Sequence, residues 1–225
     1  MERHIQLTDD GSHTIGLSGT KVTYHSTHGA LQESMHIFIQ AGLRPLLQQH
    51  TCLHIFEMGF GTGLNALLTL QEVIAAQQPV YYETVELYPL SAAEVQALNY
   101  DSLLNIPATN CNLVSLHEAP WEQEMGLHPL FTLYKRQLSL AQYLSAPVTK
   151  QYHLIYFDAF APEIQPELWS PAVFEHLAAR MYPGAALVTY CSKGVVRRAM
   201  QSAGLQVTKQ PGPPGKREIV VSRKL

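Results

Sequence analysis

The 225-residue chain is 46% hydrophobic and 15% charged, with a formal net charge of −3; this composition excludes a disordered chain. The length favours one domain with a sizeable core, and no apolar run approaches the roughly 20 residues of a membrane span. The start, Met1-Glu-Arg-His-Ile-Gln-Leu-Thr-Asp-Asp10, lacks the basic and apolar stretches of a signal peptide, so a cytoplasmic protein is expected.

In chain order, residues 12–25 alternate around Ser18-Gly19 and predict a hairpin. Leu31, Met35, Phe38 and Ala41 fall at helical spacing, with Gly42 placed to end that helix. Residues 52–58 read as a strand running into a glycine loop. Residues 64–76, apolar nearly all round, read as a helix packed on a sheet. Residues 80–86 form the next strand, and Ser91 with Glu94 makes a capping box for the helix after it. Residues 105–130, with Pro107, Pro120 and Pro129, read as a loop-rich connection. A short strand at 131–134, a short helix at 138–144 and a buried strand at 152–158 follow. Ser170-Pro171 opens a helix to about residue 181. A strand at 185–191 and a helix at 193–203, closed by Gly204, lead to two last strands at 205–209 and 218–223. Strands alternating with helices predict an α/β fold with a parallel, doubly wound sheet. The closing pair has no helix between its members, so the last strand must run antiparallel. That ending marks the methyltransferase version of the Rossmann-like fold. The expected organisation is one domain, 1–225, with a hairpin and helix extension at 1–45 and the core at 46–225.

Cys52, Cys111 and Cys191 form no Cys-x-x-Cys pair, which argues against a disulfide framework or a zinc site. His25 and His28 have no third ligand in view, so no metal is expected. From residue 193 to 225 there are eight Lys/Arg and one acid, a balance of +7, which leaves −10 on the first 192 residues. The basic end suits an anionic partner such as nucleic acid; equally, it can be two Lys/Arg-rich surface elements.

The sharpest motif is Phe56-Glu-Met-Gly-Phe-Gly-Thr-Gly-Leu-Asn65, with Gly59, Gly61 and Gly63 between a strand and a helix. Glycine lets backbone approach a ligand, and helix N–H groups point at it. The spacing is not the G-x-G-x-x-G that cradles a pyrophosphate. With Glu57 ending the strand, it fits S-adenosylmethionine, which has no phosphate but has a cationic amino-acid portion. Glu86 ends the next strand, where a carboxylate accepts both ribose hydroxyls. Gln137 stands where an adenine contact is expected. Asp158-Ala-Phe-Ala-Pro162 follows the central strand, and strand C-termini line the ligand crevice of such sheets. Alkylamines, with a pKa of about 10, are mostly protonated at neutral pH. Asp158 could hold the ammonium and take its proton, and Phe160 could stack on a base.

Four segments together resemble the MnmC-like methyltransferases: Tyr24-His-Ser-Thr-His-Gly-Ala-Leu-Gln-Glu-Ser34, the glycine motif 56–65, Asp158-Ala-Phe-Ala-Pro162, and Pro211-Gly-Pro-Pro-Gly-Lys-Arg-Glu218. The resemblance is to the methyltransferase half of enzymes making 5-methylaminomethyl-2-thiouridine in tRNA. It implies a class I fold and S-adenosyl-L-methionine bound by Glu57, Gly59, Gly61, Gly63, Asn65 and Glu86. It also implies Asp158 at the reaction centre and a pocket built with Tyr24, Glu33 and Ser34. The partner it implies is the anticodon stem-loop of tRNA; from the charge distribution, Lys193, Arg197, Lys216 and Arg217 of the basic end are the expected contacts. The chain departs from the family in having Gln137 in place of an acid. It ends at Leu225 without a flavin-dependent oxidase domain, so only the last step, methylation of the 5-aminomethyl group, is expected. The alternatives are a small-molecule or protein amine as substrate, a nicotinamide-dependent oxidoreductase, and a non-catalytic RNA-binding module.

Overall fold

The computed structural model describes residues 2–107 and 111–225. Its framework is an eight-stranded sheet of order β5-β6-β4-β3-β7-β8-β10-β9. In chain order these are β3 (Leu53–Met58), β4 (Val80–Val85), β5 (Glu124–His128), β6 (Phe131–Arg136), β7 (Tyr152–Phe157), β8 (Met181–Thr189), β9 (Leu205–Pro211) and β10 (Glu218–Lys224). Strands β6, β4, β3, β7 and β8 are mutually parallel, and β10 runs antiparallel to both β8 and β9. The expected doubly wound sheet with its antiparallel ending is present. Buried apolar cores line both faces: Ile55, Tyr82 and Leu154 on one, Phe56, Ile155 and Leu187 on the other. Alternate residues of one strand serve opposite layers. Among the described residues no helix is long and apolar enough to cross a membrane.

The N-terminal hairpin differs in register from the expectation at 12–25. Its strands are β1 (Arg3–Leu7) and β2 (His13–Leu17), turning through Asp9-Asp10-Gly11. Asp10 fixes that turn: its carboxylate accepts from Ser12 N (3.0 Å), Ser12 Oγ (2.5 Å) and Thr8 Oγ1 (2.8 Å), and Gly11 takes φ +81°. The Ser18-Gly19 turn exists too, but the chain returning from it makes only the isolated bridge Gly16↔Thr23.

Helix α1 (Ala30–Ser34) widens into a π-helical run, Met35–Leu43, and a last 3-10 turn, Arg44–Leu46. Gly42 therefore does not stop the helix. A side chain there would meet Val188 Cγ2 at 3.1 Å, so the missing Cβ lets the helix lie close on the sheet.

Helix α2 (Leu64–Ala76) has the expected bounds. Helices α3 (Ala92–Gln96), α4 (Tyr100–Leu103) and α5 (Leu113–Glu118) follow β4, with the Ser91/Glu94 capping box in place. The stretch 105–130 is more regular than its prolines suggest: it holds α5, capped by Asn112 with Ser115, and edge strand β5, while 108–110 lie outside the described residues. Helices α6 (Leu140–Ser145), α7 (Pro171–Ala179) and α8 (Gly194–Ser202) complete the layers.

Candidate active site

Four parallel strands end on the same edge, and the residue just after each end faces one cleft. Gly59 follows β3, Glu86 follows β4, Asp158 follows β7 and Tyr190 follows β8. The cleft has a volume of about 700 Å³, within the range of small-molecule sites, roughly 300–1,000 Å³. The topology thus gathers residues separated by more than a hundred positions, as open α/β sheets do at strand C-termini.

The glycine loop forms one wall. Gly59, Gly61 and Gly63 take φ values of +87°, +52° and +75°, a region that favours glycine. A Cβ on Gly61 would press on the Tyr24 ring at 3.3 Å, and one on Gly63 would meet His117 Nε2 at 2.9 Å. Glu86 braces the loop: one carboxylate oxygen accepts from Gly61 N at 3.0 Å, the other from Tyr88 N at 2.8 Å. Farther along, Leu138, Ser139, Leu140 and Ala141 line the cleft at the start of α6.

Asp158 lies opposite, half-buried, accepting from Asn65 Nδ2 at 3.0 Å. Burial pushes its carboxyl up to about 7 and the Glu33 carboxylate adds to the rise, while the Asn65 hydrogen bond and the Lys216 cation oppose it. Glu33 is itself pinned, accepting from Ser26 N at 3.0 Å and pairing with Lys216 Nζ at 2.9 Å. The Lys216 ammonium also sits 4.9 Å from the centre of the Tyr190 ring. The 159–160 backbone is fixed from outside: Tyr190 Oη donates to Ala159 O and Trp169 Nε1 to Phe160 O, each at 2.8 Å. Phe160 and Tyr24 meet edge to face at 5.3 Å.

Tyr24, Glu33, Gly59, Gly61, Asn65, Glu86, Asp158, Phe160 and Lys216 are therefore brought together in the cleft wall, as the sequence predicts. Other expected residues are not. Gly63 lies behind the loop, Ser34 is fully buried, and Gln137 is outside the wall, its N–H donating to Glu122. Where Gln137 was expected, the wall is formed by the four residues after it. Glu57 is completely buried, so its carboxylate does not reach the cleft as expected. Lys193 pairs with Glu163, Arg197 Nε donates to Ser192 O, and Arg217 is exposed; none of the three lines the cleft.

Sequence reasoning missed Tyr190 and His25. Tyr190 carried a readable signal, since it stands near the end of the strand expected at 185–191, although the observed strand stops one residue before it. His25 did not: it is buried against Thr14 and Thr62 in the cleft wall, and burial lowers its pKa to about 4, keeping it neutral.

A glycine loop without a cationic phosphate cradle, a carboxylate beside it and an apolar slot at α6 fit S-adenosyl-L-methionine. Comparison with known proteins agrees. A family model described as S-adenosyl-L-methionine-dependent methyltransferase matches residues 131–224. The chain is 32% identical over 227 residues to the tRNA 5-methylaminomethyl-2-thiouridine biosynthesis bifunctional protein MnmC of Burkholderia mallei, covering 95% of this chain and 34% of that protein. The MnmC protein of Ralstonia nicotianae is 34% identical over 212 residues, with 88% of this chain and 31% of that one covered. The chain thus spans about a third of the length of these relatives. The crystal structure of MNMC2 from Aquifex aeolicus superposes with a TM-score of 0.80 at 21% identity, covering 99% of this chain and 70% of that one. The fold is that of the class I methyltransferases.

Proposed function

The chain belongs to the MnmC-like S-adenosyl-L-methionine-dependent methyltransferases, and from that premise we propose that it methylates the 5-aminomethyl group of a wobble uridine in tRNA. The product is the 5-methylaminomethyl nucleoside. The observation that carries this reading is Asp158: a carboxyl held near neutrality at the floor of the cleft, beside an aromatic pair that suits a flat base.

Gly59, Gly61, Asn65, Glu86 and the start of α6 would hold the cofactor, with Glu86 turned toward the ribose hydroxyls. Bound S-adenosyl-L-methionine supplies an electrophilic sulfonium methyl. The substrate amine arrives mostly as an ammonium, pKa about 10, and must shed a proton before its lone pair can act. Asp158, ionised, pairs with that ammonium and accepts the proton, which a pKa near 7 allows at working pH. Asn65 keeps the accepting oxygen in place. Glu33 adds a second negative group, and its ion pair with Lys216 keeps it oriented. Phe160 stacks against the uracil ring, with Tyr24, perpendicular to it, closing the side of the slot.

The anticodon stem-loop is the proposed partner, held by Arg197, Arg198 and Arg217 around the cleft, and the cytoplasm is the proposed compartment. Residues 1–45 are read as an extension of a single domain that supplies Tyr24 and Glu33. The test is transfer of labelled methyl to tRNA carrying 5-aminomethyluridine, followed by nucleoside mass spectrometry. A one-methyl mass increase at that nucleoside is expected; no label in tRNA, with cofactor bound normally, would reject the substrate.

A second reading, a small-molecule amine, draws support from the basic cluster itself. Lys193, Lys209 and Lys216 are paired with Glu163, Glu218 and Glu33, and so are partly neutralised.

A further inference from the structure

Among the described residues, five buried side-chain polar atoms without a hydrogen-bond partner fall in one cluster beneath the glycine loop: Glu57 Oε1 and Oε2, Asn65 Oδ1, Tyr82 Oη and Thr84 Oγ1. Orphaned buried polar atoms are costly, so five together call for a reason. Glu57 is the penultimate residue of β3, Tyr82 and Thr84 stand on neighbouring β4 with Thr84 directly beside Glu57, and Asn65 is the second residue of α2. The groups acting on the Glu57 carboxyl are Tyr82, Asp158, Asn65 and Thr84, and none is cationic. On the β7 side, Tyr156 faces the same cluster, its hydroxyl 3.2 Å from Thr69 Oγ1. An ionised carboxylate there would be a buried charge without a counterion, which proteins avoid by keeping the proton.

We propose that Glu57 is a neutral, proton-bearing positioning residue that holds Asn65, and through it Asp158, rather than a ligand of the cofactor. One proton on Glu57 supplies the donor that the Asn65 amide oxygen lacks. The Glu57 hydroxyl donates to Asn65 Oδ1; this fixes the amide so that Nδ2 faces Asp158, where the 3.0 Å bond is found. Around the other Glu57 oxygen stand the Tyr82 and Thr84 hydroxyls, neutral groups that cannot offset a buried charge. Burial, the largest influence on Glu57, raises its pKa well above the ordinary carboxyl value, in agreement. The chain of contacts runs Tyr82 and Thr84, Glu57, Asn65, Asp158, from the sheet interior to the reacting edge. An anionic Glu57 would leave Asn65 Oδ1 facing two lone pairs and loosen the hold on Asp158.

The inference rests on the proposed role of Asp158, but its first two measurements need no tRNA. Infrared difference spectra of the wild-type protein at about pH 8.5, where ordinary carboxyls are ionised, should keep a protonated-carboxyl C=O band that E57Q removes. S-adenosylhomocysteine affinity of E57Q, by calorimetry, should stay within about twofold of wild type. In methyl transfer, E57L should lower kcat on the order of tenfold, one hydrogen bond's worth, with the cofactor KM little changed, and E57Q should recover most of that loss. Absence of the band, or a tenfold weaker affinity in E57Q, would overturn the inference and return Glu57 to the cofactor. If the band and affinity behave as expected but no tRNA is methylated, the substrate reading fails and the assignment of Glu57 stands.

Discussion

Replacing Asp158 with asparagine should make the protein more stable at alkaline pH while abolishing most of its activity. Burial raises the Asp158 pKa from 3.8 to about 7, so between those values the folded state binds more protons than the unfolded one. Stability must then fall as pH rises through that window, and above about pH 7 the full cost of holding the carboxylate is present. At about 1.4 kcal/mol for each tenfold change in proton affinity, the ceiling is about 4 kcal/mol. The side chain opens onto the cleft, where water screens it, so about 1–2 kcal/mol is expected. The substituted amide would carry no charge and could still accept from Asn65. Thermal unfolding followed at several pH values should show D158N melting roughly 3–8 °C above wild type at about pH 8. The gap should vanish near pH 4. Single-turnover methyl transfer should fall by about 10²- to 10⁴-fold, the usual loss of a general base. If D158N is destabilised equally at both pH values, Asp158 is a structural hydrogen-bond acceptor and its place as the base is refuted.

Lys216→Ala removes the cation that opposes the rise in Asp158, so the acid limb of the kcat/KM profile should move to higher pH; an unmoved limb would separate Lys216 from Asp158. Glu86→Ala should weaken S-adenosyl-L-methionine binding by roughly 1.5–3 kcal/mol, as for charged-acceptor hydrogen bonds; unchanged affinity by calorimetry in a normally melting variant would exclude the ribose role. Reversing Arg197 and Arg198 to Glu should weaken tRNA binding and flatten its dependence on salt, because fewer counterions are released. A lower melting temperature with tRNA affinity intact would instead favour the small-amine reading.

The sheet was legible because its strands are buried on both faces and its helices are punctuated by local chemistry. Leu64–Ala76 follows three glycines and ends at Gln77 in a left-handed conformation, and its apolar run needs no tertiary context to be read. The segment after Tyr100 was not legible in the same way: α5 and β5 are short, α5 packs on α2 and α3, and β5 is an edge strand paired only with β6. The hairpin was misplaced because two turns compete within its sequence, Asp9-Asp10-Gly11 and Ser18-Gly19. The first wins through the Asp10 carboxylate, which also accepts from Gln32 N at 2.9 Å and so ties the turn to α1. Gly42 was read as a stop because local rules weigh only the helix it belongs to, whereas its missing side chain is required by Val188 on another element.

The site divides along the same physical line. Residues that follow strand ends, such as Gly59, Glu86 and Asp158, are readable because parallel sheets place those ends at one edge whatever the rest of the chain does. Residues arriving from elsewhere depend on docking that sequence does not encode locally. Lys216 is the clearest case. Along the chain it belongs with the exposed cations of a basic tail, yet Gly215 packs so tightly on His28 that the loop leads Lys216 inward, onto Glu33 and the Tyr190 ring. It counts toward the charge of the reaction pocket and not toward a phosphate-binding surface. With Lys193 and Lys209 also paired to acids, the surplus +7 of the last 33 residues overstates the positive surface available to RNA. Arg197, Arg198 and Arg217, by contrast, form no ion pair among the described residues, so they are the tail arginines the proposed tRNA complex would draw on.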